Sequence, residues 1–431
     1  MTTHSTLPVD GLSSRCRSAA ERIMDRCNDL AACTEDPTQL TRRFCSPAMV
    51  AAHQKLRHWM TATGMPTRLD PLANLIGRFD RSTSDRPTGQ VLLVGSHLDT
   101  VVNAGRYDGP LGVLIGLGLA ELLRAESARM PFAIDVIGFC EEEGIRYRTP
   151  FIGSRAVAGN FDSALLDRVD ECGVSMRSAV ESFRKTASDC VDTVGYDREK
   201  VVGYIEPHIE QGPVLEQESL PVGIVTAIAG QTRAAVRFIG RAGHAGTVPM
   251  SLRHDALAGA AEWIMQVESI GRRTPGAVAT VAQMDVIPNV SNVLPGEVRL
   301  RIDARHSDNS TRHNLVSEVL RAGKSISEKR GLKFVVDWQE HYPAVQMDAA
   351  LSTRLAAAVA ESGVQPLSLV SGAGHDAAVM AGRFPAAMLF LRCRGGLSHH
   401  PDESVRADDV ALALEVLVLL VYKLAAEFAP S

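Results

Sequence analysis

Hydrophobic and polar positions along the first third of the chain alternate between two rhythms. Apolar residues recur at helical spacing over 13–31 and 47–64, and then close up into the run VLLVGSHLDT at 91–100. An uninterrupted apolar run of that length predicts a strand covered on both faces. NAGRYDGPLG follows as a Gly-rich turn, LGVLIGLGLAELLRAE as an apolar helix and FAIDVIGFCEEEG as a second buried strand. Strands separated by helices predict a doubly wound, mostly parallel α/β sheet. Chemistry in such sheets gathers outside the carboxyl ends of the strands. His97 and the Glu141–Glu143 run both stand at such ends.

After Gly212 the rhythm changes. TRAAVRFIGR predicts a strand, RHDALAGAAEWIMQVESIG an amphipathic helix, AVATVAQMDVI and EVRLRIDAR two strands, TRHNLVSEVLRAGKSISEKRG a helix and KFVVDWQ a fourth strand. In EVRLRIDAR, Val298, Leu300, Ile302 and Ala304 share one side, and Arg299, Arg301, Asp303 and Arg305 the other. The order β-α-β-β-α-β is a ferredoxin-like unit. It is expected to span 214–333 and to interrupt a larger α/β domain made of 1–213 and 334–431. Near the C-terminus, VALALEVLVLLVYKLAAEF carries Glu415 and Lys423, and predicts a buried core helix instead of a membrane span.

Composition narrows the field without choosing within it. A chain of 431 residues is long for one core, which agrees with two domains. A net charge of -5 leaves no basic footprint for nucleic acid. The first thirty residues lack an apolar leader segment, so a cytoplasmic protein is expected. The eight cysteines form no C-x-x-C pair, which speaks against a finger-type zinc site and for reduced thiols.

The candidate chemistry lies in a few short segments. GSHLDTVVNAGRYDGPLG sets His97 and Asp99 two apart at a strand end and Asp108 in a Gly-rich loop. A carboxylate beside an imidazole is the pairing that fixes tautomer at a metal. Glu141, Glu142 and Glu143 would repel one another without a nearby cation. One carboxylate of that run suits metal ligation and another general base catalysis, but periodicity does not say which. GYIEPHIEQGPVLE adds His208, Glu210 and Gln211; His208 could be a ligand, a substrate contact or a cap. GLSHHPDE follows an apolar strand, and one of its histidines, His399 or His400, suits a ligand. Three imidazoles and several carboxylates from separate strand ends meet the needs of a two-metal hydrolytic centre. In the interrupting module, Asn292 and Arg305 could hold a substrate carboxylate, and His244 could stabilise an oxyanion. G-x-S-x-G and G-x-x-x-x-G-K-[ST] are both absent, which excludes an elbow serine hydrolase and a P-loop.

GSHLDTV, EEEG, HIEQGPVLE, GHAGTVPM and SGAGHDA, in this order and spacing, resemble the dinuclear-metal peptidase and amidohydrolase family. That family includes allantoate amidohydrolases, N-carbamoyl-L-amino acid hydrolases and β-ureidopropionases, and the likeness covers nearly the whole chain. The resemblance implies two divalent ions, Zn²⁺ or Mn²⁺, with His97 and His208 on one, Glu143 and His399 on the other, and Asp108 bridging. It implies that Glu142 is the general base and that Asp99 orients His97. It further implies that His244, Asn292 and Arg305 of a lid domain, with Gln211 and Gly374 of the catalytic domain, bind a small ureido carboxylate. A homodimer joined through the lid is implied as well. Two positions depart from the pattern: Glu141 stands where a neutral residue is common, and His400 where Asn is common. Segments such as IAGQTRAAVRFIGRAGHAGTVPM and LRCRGGLSHHPDE are most similar to allantoate amidohydrolases. Hydrolysis of a ureido C–N bond is therefore the expected activity.

Overall fold

A computed structural model describes residues 11–81, 89–128, 130–187, 189–191 and 195–428. The reading of residues 1–10 as part of a leaderless N-terminus lies outside the described residues. The chain divides into two compact units, one of residues 1–226, 347–369 and 375–431, the other of 227–346 and 370–374.

The larger unit is built on a mixed sheet whose centre is parallel. Four neighbouring strands, Ala133–Phe139, Val91–His97, Val201–Ile209 and Ala386–Leu391, run in one direction. Every residue of Val91–His97 and of Ala133–Phe139 is buried, which is why neither stretch alternates. Helix Pro110–Ala125 packs over three of these strands and carries no charge before Glu121. It can lie so close because Gly112 has no side chain: a Cβ there would strike the Pro207 carbonyl and Ser96. Helix Pro47–Ala62 starts where Ser46 accepts the Met49 N–H at 3.2 Å, with Pro47 at the first helical position. The C-terminal helix Ala407–Phe428 buries Leu414, Leu417 and Leu420 in the core. No helix among the described residues is long and apolar enough to cross a membrane. Antiparallel strands flank the parallel centre: Leu75–Phe79 beside Ala133–Phe139, and Val222–Ile228 beside Ala386–Leu391.

The smaller unit contains the strands Gly230–Ile239, Val278–Ile287, Glu297–His306 and Lys333–Tyr342, all antiparallel, in the spatial order fourth, first, third, second. Helices Ala256–Arg273 and Asn309–Arg330 accompany them. Asp255 caps the first, accepting the N–H groups of Leu257 and Ala258 at 2.9 and 3.1 Å. Gly331, at φ 64°, closes the second in a left-handed turn. Val298, Leu300, Ile302 and Ala304 are buried, while Arg299 and Arg301 are exposed.

The division falls later than the pattern reading of 214–333. Val222–Ile228 pairs with Ala386–Leu391 and so extends the first sheet past residue 213. Lys333–Tyr342 pairs with Gly230–Ile239 and so holds the second unit together beyond 333. Gly374, expected in the larger domain, falls in the smaller unit.

Candidate metal centre

The carboxyl ends of the parallel strands bring distant residues to one place. His97 ends its strand, opposite Phe139 of the neighbouring strand, and Glu141–Glu143 follow two residues beyond that partner. His208 lies one residue from the end of Val201–Ile209, and the loop after Ala386–Leu391 delivers His399. Asp108 sits on the loop before helix Pro110–Ala125. Its neighbour Gly109, at φ 83°, lets the backbone pass against the His97 ring, where a Cβ would collide.

Asp108 is the hub. Its Oδ1 lies 3.2 Å from His208 Nε2 and 3.8 Å from His97 Nε2. Its Oδ2 lies 3.2 Å from His399 Nε2, and that imidazole is 3.5 Å from Glu143 Oε1. Gln211 Nε2 and the Ser398 hydroxyl donate to the same Oδ2 at 3.0 and 2.9 Å. His97, Asp108, Glu143, His208 and His399, expected together from sequence, are thus within reach of one another. Gln211 joins them.

The proton positions show why the cluster suits cations. His97 Nδ1 lies 3.0 Å from the Asp99 main-chain carbonyl, and His208 Nδ1 lies 2.9 Å from the Ile209 carbonyl. Carbonyls only accept, so Nδ1 carries a proton in both rings and Nε2 is the nitrogen left to serve as a ligand. Those two nitrogens face each other at 3.4 Å, beside a buried Asp108 Oδ1 that accepts no hydrogen bond. Three electron-rich atoms aimed at one point need a positive charge between them. Among the described residues, His97, Asp108 and His208 form one group able to hold a metal, and Asp108, Glu143 and His399 another. Both groups contain Asp108.

Electrostatics point the same way. Burial pushes Glu143 up to about 7 and Glu142 well above the usual carboxylate range, with neighbouring carboxylates adding to the effect. Burial also pushes His208 down to about 4. His97 moves up despite its burial, because Asp99, Glu142 and Asp108 surround it. For Asp108 burial is outweighed by His399, His208 and His97, which hold the carboxyl below its ordinary range. A site with excess carboxylate and lone-pair imidazole is short of cations.

Several details add to what the sequence left open. Asp99 meets His97 more closely through its carbonyl than through its carboxylate, which is 3.5 Å away. The carboxylate instead accepts the N–H of Glu142 at 3.0 and 3.1 Å and that of Glu143 at 3.0 Å. Glu141 is fully buried, and its Oε1 takes the Arg146 N–H at 3.4 Å. Burial, reinforced by Asp99, pushes its carboxyl well above the usual carboxylate range. His399 faces Asp108 from a left-handed backbone (φ 55°), whereas His400 turns to the Asp402 N–H at 3.2 Å. The pattern reading missed the buried Glu206, His375 and Glu403 and the partly buried Ser398. His375 packs edge-on against His208 with ring centroids 4.5 Å apart, and Glu206 accepts the Ala377 N–H at 2.7 Å. Their positions inside the motifs HIEQGPVLE, SGAGHDA and GLSHHPDE, or just before them, were the available signal.

In the smaller unit, His244 pairs with Val293 across a two-residue ladder, and the Asn292 carbonyl accepts the Ala245 N–H at 2.9 Å. Arg305 is held by Asp303 at 2.8 and 2.9 Å and donates to the Gly372 carbonyl at 2.5 Å, two residues before Gly374.

Imidazoles and carboxylates gathered at the carboxyl ends of a parallel sheet are the layout of a divalent-metal hydrolase. The sequence profile of peptidase family M20/M25/M40 matches residues 93–423, and the chain belongs to that hydrolytic, metal-dependent family. The chain is 36% identical to "Allantoate deiminase" of Arabidopsis thaliana, over 91% of this chain and 80% of that protein. It is 35% identical to "N-carbamoyl-L-amino-acid amidohydrolase" of a Pseudomonas species, over 85% of this chain and 88% of that protein. In structure it is similar to an amidase of the hydantoinase/carbamoylase family from Burkholderia multivorans, with a TM-score of 0.88 and 28% identity. That likeness covers 96% of this chain and 98% of the other.

Proposed function

We propose that this protein hydrolyses a ureido C–N bond, with allantoate as substrate and ureidoglycine, carbon dioxide and ammonia as products. One observation carries the reading: the two oxygens of Asp108 face two different sets of ligand atoms. In this reading His97 and His208 would hold one divalent cation and Glu143 and His399 the other, with Asp108 a ligand available to both. Cations so held, Zn²⁺ or Mn²⁺, supply Lewis acidity toward a carbonyl oxygen and make water acidic near neutral pH.

The chain's own residues do the rest. Glu142 takes a proton from the attacking water and passes it to the leaving nitrogen; its burial supports that role, because a buried carboxyl holds a proton more readily. Asp99 fixes Glu142 and Glu143 through their N–H groups. Gln211, Asn292, Arg305 and Gly374 bind the polar ends of the substrate, and His244 stabilises the developing oxyanion. Arg305, already oriented by Asp303, suits a carboxylate. A homodimer through the smaller unit is supported by its edge strand Val278–Ile287, which leaves Val278, Met284 and Ile287 exposed. Eight free thiols support a reducing, cytoplasmic setting.

The relative named for N-carbamoyl-L-amino acids is similar at nearly the same identity and favours a second reading, hydrolysis of that substrate class. Ammonia release from allantoate and from N-carbamoyl-L-amino acids, by chelated enzyme reloaded with Zn²⁺ or Mn²⁺, separates the two. Turnover of neither class with either metal would sink both.

A further inference from the structure

Asp108 and His399 stand on two irregular loops far apart in the chain. One carboxyl ties these loops together. Glu403 is 3% exposed, and its Oε1 accepts the N–H of Tyr107 at 2.8 Å and of Asp108 at 3.0 Å. Its Oε2 lies 3.2 Å from the Ser398 hydroxyl, which also lies 2.9 Å from Asp108 Oδ2. A Cβ on Gly105 would run into the Glu403 side chain, so the Asp108 loop closes around this carboxyl with no room for another group. Glu403 belongs to none of the groups able to hold a metal among the described residues.

We infer that Glu403 is a positioning residue for the bridging carboxylate: it holds Asp108 at the distance from His399 at which both can share a cation. This rests on the two-cation reading above. A brace that merely supported the fold would attach to the core. Glu403 attaches to the main chain of Asp108 itself and to the hydroxyl on that residue's carboxylate. Removing it frees a ligand oxygen to move while the hydrophobic core under it stays packed.

The test uses the full chain, stripped of metal by chelation and titrated with Mn²⁺ in a calorimeter. Circular dichroism follows thermal unfolding of the metal-free forms. Glu403→Ala is expected to weaken at least one Mn²⁺ by tenfold or more, as loss of a ligand's supporting contact does, with metal-free melting near that of the parent. Glu403→Gln keeps an oxygen for both N–H groups and is expected to regain most of the affinity. Parent-like Mn²⁺ binding by Glu403→Ala would overturn the inference. Should Glu403→Ala fail to fold, Gly105→Ala, which pushes the carboxyl off its loop, decides by the same criterion. A parent protein that binds fewer than two Mn²⁺ removes the two-cation reading itself. Two Mn²⁺ bound by the parent, and bound with parent-like affinity by every variant, removes only the brace.

Discussion

Asp99→Asn is the substitution that most directly tests how the centre is held. The carboxylate is 1% exposed, and two N–H groups, those of Glu142 and Glu143, donate to it at 3.0 to 3.1 Å. An amide of the same shape keeps one acceptor oxygen and turns the other into an NH₂, which faces an N–H donor to donor. With its oxygen in the Oδ2 position the amide still accepts both N–H groups, but its NH₂ is left as a buried donor against the Glu142 N–H, at a cost of about 1–3 kcal/mol, and the two remaining bonds lose their charge assistance. Together these come to about 2–4 kcal/mol against the conformation that presents Glu142 and Glu143. If that conformation is needed only in the transition state, kcat/KM falls by roughly 30- to 1,000-fold, at 1.4 kcal/mol per tenfold. The assay is steady-state ammonia release, with the metal content of each preparation measured beside it. Asn at 99 with kcat/KM near that of the parent would refute the claim that this carboxylate organises the base.

Three further outcomes are expected. Glu142→Gln should retain metal and lose about 10²- to 10⁴-fold in kcat, the usual share of a general base; full activity would refute the assignment. Arg305→Ala should raise KM more than it lowers kcat, by roughly ten- to a hundredfold, because a charge-assisted pair with a carboxylate contributes about 1.5–3 kcal/mol; an unchanged KM counts against it. His53 is buried beside Phe183, neither ring nitrogen has a hydrogen-bond partner, and burial pushes its pKa down to about 3. Below about 6.5 the unfolded chain takes up a proton that the folded one refuses, so stability present above that pH drains away as pH falls toward 3. By pH 5 the loss is about 2 kcal/mol. His53→Leu should therefore show a correspondingly smaller drop between pH 7 and 5 in urea unfolding of the chelated protein, and equal drops would refute it.

Much of this molecule was legible in the order of its residues. VLLVGSH and FAIDVIGF announce doubly covered strands because only a parallel sheet core tolerates such runs, and the chemistry follows them because loops at those strand ends open toward one another. In the smaller unit Gly230–Ile239 and Glu297–His306 show a period of two and the helices one of three to four, since each has one face in a core, whereas Val278–Ile287 and Lys333–Tyr342 have no fully buried residue. The ligand types at these strand ends suggested a metal centre for the same local reason: carboxylates and imidazoles are seldom crowded without a cation.

What only the tertiary structure decided is which atoms meet. The Ser398 hydroxyl reaches Asp108 across 290 residues of chain, and Glu403 closes the same loop; no periodicity marks either. His399 and His400 are equivalent in composition, and a left-handed backbone at one position selects which of them faces Asp108. Asp99 was legible as a neighbour of His97, yet its carboxylate serves Glu142 and Glu143 because parallel pairing sets those residues beside it. Local pattern follows from which face of an element is buried. Contact between residues far apart depends on strand order and register, and those are settled by the packing of the whole domain.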